Sequence, residues 1–150
     1  MSFFIPDKLP KLMVAPNGAR PIKKDHPLVP VTIDEIVETA KACFVAGAGG
    51  VHFHLRDNKG QHILNSEMCL QALEKLQINV PEMHLQITTE AVGRYSPGAM
   101  RKLAYEVSPP GISIGIKEMI PSRVPTEEDI RLYKSLTESG TKIQHICYEP

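Results

Sequence analysis

The sequence predicts an α/β fold in which short apolar strands alternate with amphipathic helices along one parallel sheet. Three observations predict it. Short apolar runs and helical segments follow one another through the chain. Several helical segments open on a capping residue or close on glycine. Polar residues gather where the strands end.

Leu12 to Ala15 is a short apolar run closed by Pro16-Asn17-Gly18, which reads as a buried strand and its loop. Thr32 and Glu35 form a T-x-x-E capping box. Ile33, Ile36, Val37, Ala40 and Phe44 then follow at helical spacing up to Gly47. Val51 to Leu55 is the second strand, with a turn at Gly60 and a helix from about Ser66 to Gln77. Met83 to Thr88 is the third strand. Ser96-Pro97 places a cap and a proline at the start of a third helix. Ile112, Ile114 and Ile116 alternate as a fourth strand. Thr126 with Asp129 caps a fourth helix that ends at Gly140, and Lys142 to Tyr148 is a fifth strand.

Five strands and four helices in strict alternation imply parallel pairing with helical crossovers. Either an open doubly wound sheet or a (β/α)₈ barrel satisfies this order. The barrel normally needs about 250 residues, so residues 1–150 are expected to form a single domain that is the N-terminal part of a larger barrel. No linker or low-complexity stretch divides them.

Composition excludes several function classes. Hydrophobic residues make up 42%, and 17 Lys plus Arg balance 17 Asp plus Glu. A neutral chain without a basic block is not built for nucleic acid or for a membrane surface. No apolar stretch is long enough to span a bilayer. Cys43, Cys69 and Cys147 are odd in number and far apart, giving neither a disulfide framework nor a thiolate metal site. Cys43 is expected as a buried free thiol, and a reducing cytoplasm is the expected location.

The chemistry is most legible in Val51-His52-Phe53-His54-Leu55-Arg56-Asp57. Alternation puts His52 and His54 on one strand face and Val51, Phe53 and Leu55 on the other. Two imidazoles at i, i+2 can reach one divalent ion, and zinc suits them. The competing reading is a pair of core histidines satisfied by hydrogen bonds. In the third strand His84, Gln86 and Thr88 share a polar face opposite Leu85 and Ile87. Thr88-Thr89-Glu90 then has the hydroxyls to hold a carboxylate or phosphate. Asn17-Gly18, Arg56-Asp57, Thr88-Thr89-Glu90 and Lys117-Glu118 all fall at C-terminal strand ends, where parallel βα folds carry their sites. Simple alternation aims Glu118 with the isoleucine face and Lys117 away from it, an orientation that a bulge or the end of the strand would reverse, and the competing reading is a surface ion pair. His145 shares its parity with Ile143 and Cys147 and is expected in the core. No dinucleotide or Walker fingerprint occurs.

Taken together, Ala15-Pro16-Asn17-Gly18-Ala19-Arg20, Asp25-His26-Pro27, Pro30-Val31-Thr32 and Ala46-Gly47-Ala48 leading into His52-Phe53-His54-Leu55-Arg56-Asp57 resemble the beta-keto acid cleavage enzymes. Ile87-Thr88-Thr89-Glu90-Ala91-Val92-Gly93-Arg94-Tyr95 resembles a shorter-chain branch of that family. The resemblance implies a (β/α)₈ TIM barrel with zinc held by His52, His54 and a glutamate from late in the family's chain, beyond Pro150. It implies exchange of a β-keto acid with acetyl-CoA, giving acetoacetate and a new acyl-CoA, by a homo-oligomer that is often tetrameric. Arg56 and Glu118 are then the candidate catalytic residues, Arg56 orienting the site or binding an anion. Asn17, Arg20, Thr88, Thr89 and Glu90 are the candidate substrate contacts. Two positions depart from the family pattern: Arg20 stands where an acid is common, and Glu90 where glycine is common. The alternatives are a metal-dependent aldolase or hydrolase on the same barrel, or a non-catalytic metal-binding half-barrel.

Overall fold

The computed structural model describes residues 3–148. Its main sheet contains β1 (Met13–Val14), β2 (Gly50–Phe53), β5 (His84–Thr88), β6 (Gly111–Gly115) and β7 (Lys142–Ile146), in that spatial order and all parallel. The remaining elements are α1 (Ile33–Val45), β3 (Leu55–Arg56), β4 (His62–Ile63), α2 (Ser66–Asn79), α3 (Pro97–Val107), α4 (Ile116–Met119) and α5 (Glu127–Glu138). Spatial order follows chain order without a reversal. A doubly wound sheet needs that reversal, so the structure is an arc of a (β/α)₈ barrel. No helix among the described residues is long and apolar enough to cross a membrane.

The two faces of the sheet divide as alternation requires. Val51, Phe53, Leu85, Ile87, Ile112 and Ile114 are buried against the helix layer, which contributes Ile36, Ala40, Leu73, Leu76, Met100, Leu103, Leu132 and Leu136. Each such large apolar side chain stabilises the fold by about 1.5–3 kcal/mol when fully buried. The opposite face is polar. Register sets His52 beside Gln86 and Thr88 beside Ser113 across adjacent strands.

Local chemistry explains the helix starts. Thr32 and Glu35 close the expected capping box on α1. Glu35 also takes Lys23 and the Val31 N–H, and these contacts, Lys23 first, draw its pKa down to about 2. Asn65 caps α2 through the Met68 N–H. Ser96 caps α3 ahead of Pro97, and Thr126 with Asp129 boxes α5. Arg101 of α3 binds Asp129 at 2.8 Å and Glu128 at 2.9 Å, tying the two helices together.

Four expectations need correction. The second strand breaks after Phe53, and β3 pairs antiparallel with β4 in a small hairpin. Asp57 Oδ1 accepts the N–H groups of Lys59 and Gln61, both at 2.9 Å, and Gly60 takes φ +75° to close that turn. The fourth strand ends at Gly115, and Ile116, Lys117 and Glu118 belong to the short helix α4, so strand parity does not orient them. His145 is exposed: β7 is the edge strand among the described residues, and the ring meets only α5 there, stacking on Tyr133 with centroids 5.5 Å apart. Cys43 is half-buried on α1, whereas Cys69 is the buried thiol, its pKa raised to about 12 by burial.

Candidate active site

The site lies at the C-terminal ends of β1, β2, β5 and β6. His52 Nε2 and His54 Nε2 face each other at 3.0 Å. Two nitrogens on one tetrahedral zinc stand about 3.3 Å apart at normal bond lengths, so the pair is spaced for a shared ion. Burial lowers the pKa of both rings, and His54 falls to about 2 under burial and then the neighbouring His52, His62 and Arg56. Both imidazoles are therefore neutral at ordinary pH, and the 3.0 Å contact is a hydrogen bond in which one Nε2–H donates to the other Nε2. His52 Nδ1 lies 2.8 Å from Gln86 Oε1. A donated Nδ1 proton leaves the lone pair on Nε2, the usual way a ligand imidazole is oriented. Among the described residues no set of three His, Cys, Asp or Glu side chains converges to hold an ion.

His54 sits where the ladder breaks, and Asn17 repairs it. Asn17 Oδ1 accepts the His54 N–H at 3.0 Å, and Nδ2 donates to the His54 carbonyl at 2.8 Å and the Pro30 carbonyl at 3.0 Å. Asn17 is buried, so the structure makes it a splint for His54.

Arg56 is buried and donates to the carbonyls of Gly18, Ala19, Pro21 and Gly60. The guanidinium grips the loop after β1, which fits the expected role of orienting the site.

Thr88 and Thr89 part company. The Thr88 hydroxyl accepts the Glu90 N–H at 3.0 Å and the Ser113 hydroxyl at 3.4 Å on the polar face. Thr89 is fully buried, and its hydroxyl donates to the Ser113 carbonyl at 2.9 Å. It knits β5 to β6 and is not brought to the site, because the next residue along a strand points to the other face.

Glu90 occupies the mouth. Oε1 meets the exposed Arg20 guanidinium at 3.3 Å, and Oε2 stands 3.9 Å from His54 Nδ1. With His54 neutral the second contact is not an ion pair, and the exposed first one contributes at most about 1 kcal/mol. Glu118 Oε2 accepts the Ala91 N–H at 3.2 Å, so this carboxylate braces the loop that carries Glu90. Val92 in that loop takes φ +47°, a conformation costing a β-branched residue about 1–3 kcal/mol.

Three residues escaped the sequence reading. Gln86 lies in the polar row, but its contact with His52 depends on strand register. Ser113 joins Thr88 for the same reason. His62 arrives through the hairpin: its ring lies 5.1 Å from that of His54, and its Nε2 lies 2.9 Å from the Glu90 carbonyl. Asp57, Lys59 and Gly60 were the available turn signal for it.

Comparison with known proteins places the chain in a family. The family model for the beta-keto acid cleavage enzymes matches residues 11–150. A 3-oxoadipate:acetyl-CoA acetyltransferase of Cupriavidus necator is 32% identical over 114 residues, covering 75% of this chain and 39% of that protein. A 3-keto-5-aminohexanoate cleavage enzyme of Acetoanaerobium sticklandii is 38% identical over 61 residues, covering 39% of this chain and 22% of its own. One of Fusobacterium nucleatum is 31% identical over 72 residues, covering 48% and 26%. A solved structure described as "Apo structure of ObcA" matches with TM-score 0.61 and 17% identity, over 79% of this chain and 30% of that one, and supports the fold alone. The fold defines a βα-barrel protein, and the polar face gives it a candidate site at the C-terminal rim. The chain belongs to the beta-keto acid cleavage enzyme family. It spans less than half the length of the curated relatives it matches.

Proposed function

We propose that this chain carries the metal-binding part of a zinc-dependent enzyme that exchanges a β-keto acid with acetyl-CoA. In the overall exchange the acetyl group joins the carboxymethyl carbon, the original acyl–carbon bond breaks, and that acyl group leaves on the CoA sulfur. The products are acetoacetate and a new acyl-CoA. The observation that supports the reading is the placement of two neutral imidazoles, His52 and His54, with their Nε2 atoms 3.0 Å apart and sharing one proton that an ion would displace, and with Gln86 orienting one of them. Zinc, when bound there, supplies a Lewis acid for the substrate's ketone oxygen.

The chain's own residues do the rest. Thr88 accepts from Glu90 and Ser113, which leaves its own hydroxyl proton for the substrate carboxylate in this reading. Asn17 and Arg56 hold the two strands and the loop in place around the histidines. Glu118 holds the Glu90 loop. Arg20 and Glu90 meet the variable end of the substrate, and the exposed guanidinium suits a polar or anionic group there. A second carboxylate, as in the 3-oxoadipate of the Cupriavidus relative's name, fits that description. A homo-oligomer, taken as a tetramer, in the reducing cytoplasm completes the proposal, consistent with three free cysteines.

The test is to supply the full-length zinc-loaded protein with a panel of β-keto acids and acetyl-CoA and to follow acetoacetate. Acetoacetate should appear only with both substrates. Zinc bound but no product from any β-keto acid would reject the transferase, and cleavage without acetyl-CoA would favour an aldolase or hydrolase.

A further inference from the structure

Nδ1 of His54 is buried without a hydrogen-bond partner, and the protons of its neighbours explain why. Gln86 Oε1 can only accept, so His52 carries its proton on Nδ1 and its Nε2 is bare. The 3.0 Å contact between the two Nε2 atoms must then take its proton from His54. A neutral imidazole has one such proton, which leaves His54 Nδ1 as a lone pair. The Glu90 carboxylate stands off from it, with Oε2 at 3.9 Å, because two acceptors do not bond.

The rest of Glu90 is fixed. The Thr88 hydroxyl takes its N–H at 3.0 Å, and His62 Nε2 lies 2.9 Å from its carbonyl. Arg20 meets Oε1 at 3.3 Å, and Glu118 holds the next residue through the Ala91 N–H. Only the carboxylate is left to turn, and the oxygen that Arg20 does not engage is the one facing His54. An N–H bonds a carboxylate at about 2.7–2.9 Å, so a movement of about 1 Å closes the gap.

We propose that Glu90 is a positioning residue for the metal centre: when an ion occupies both Nε2 atoms, His54 carries its proton on Nδ1 and donates it to Glu90 Oε2. The ring is neutral before and after. Its one proton moves from Nε2 to Nδ1, and the vacated lone pair goes to the ion. Glu90 then orients the second histidine as Gln86 orients the first, the usual way a ligand imidazole is held. With Oε1 on Arg20, one carboxylate joins the mouth of the site to the ligand pair. The proposal rests on the zinc reading and adds what holds His54.

Zinc is the probe, measured by chelator competition on the full-length protein and on its Glu90→Leu and Glu90→Gln variants. An unchanged thermal transition of the zinc-free variants confirms their fold. Glu90→Leu should weaken zinc binding roughly 10–100-fold. Glu90→Gln keeps an acceptor without the charge and should recover most of the loss. In wild-type protein labelled with ¹⁵N-histidine, nitrogen shifts should place the His54 proton on Nε2 without zinc and on Nδ1 with it. The resonances are assigned by their absence from His54→Ala. Equal affinity in Glu90→Leu and wild type, or Glu90→Gln as weak as Glu90→Leu, overturns the role of Glu90 and leaves the zinc reading standing. A His54 proton already on Nδ1 without zinc does the same. No zinc bound by the wild-type protein overturns both.

Discussion

The side-chain amide of Asn17 grips the backbone of His54 from both sides, accepting its N–H at 3.0 Å and donating to its carbonyl at 2.8 Å. A side chain from the loop after β1 thus replaces the ladder bonds that β2 loses where it breaks. Asn17→Ala should leave the His54 backbone and the Pro30 carbonyl without these partners and destabilise the protein by about 2–4 kcal/mol. Asn17→Asp keeps one acceptor but sets a carboxylate against two carbonyls, so it should do no better than alanine. Urea unfolding measures both, and a loss under about 0.5 kcal/mol in Asn17→Ala would contradict the splint.

Gln86 should matter to metal affinity without touching the metal. Gln86→Leu removes the acceptor for the His52 Nδ1 proton and should weaken zinc binding roughly 10–100-fold. Gln86→Glu keeps an acceptor and should recover most of it. Competition with a chromophoric chelator gives the constants. Equal affinities for Leu and Glu variants would remove Gln86 from this role.

His84 gives the fold a pH dependence. It is buried at the start of β5 with neither ring nitrogen hydrogen-bonded, and burial, then Lys142, lowers its pKa below 6.5. Below pH 6.5 the unfolded chain takes up a proton that the folded one refuses. Stability is therefore full above that pH and falls as pH drops, by up to about 1.4 kcal/mol per pH unit for one histidine. His84→Leu should flatten the slope between about pH 6.5 and 5 by as much as one proton. Parallel slopes for wild type and variant would show that His84 contributes none of it.

Gly111 is the complement of His84. A Cβ there would sit 2.6 Å from His84 Nε2 and 2.9 Å from the Leu85 carbonyl oxygen. Gly111→Ala should be strongly destabilising, and Gly111→Ala with His84→Ala less so than the two single losses added together. A double-mutant cycle should return a coupling of about 0.5–3 kcal/mol. Additive losses would mean that the Leu85 carbonyl, not the imidazole, excludes the methyl group.

What could be read from the sequence was local. Thr32 with Glu35, Ser96 with Pro97 and Thr126 with Asp129 announce helices because cap and partner lie within one turn. The shared face of His52 and His54 follows from the two-residue strand period alone. What stayed hidden joins distant positions. Asn17 and His54 are 37 residues apart and His52 and Gln86 are 34 apart, so each contact exists only once β1, β2 and β5 are in register. Ile116 misled for a different reason: it continues the alternation of Ile112 and Ile114, but α4 begins there and ends the strand.

The grip of Arg56 bears on how such a site changes over time. It reaches Gly18, Ala19 and Pro21 only through their carbonyl oxygens, which every residue type supplies. The loop's course is thereby held from outside, while Arg20 within it points a largely exposed side chain at the mouth. Residue 20 is therefore free to be replaced without redrawing the loop. A lineage can exchange acid for base at that position by a few nucleotide changes and try a new substrate while the histidines stay where they are.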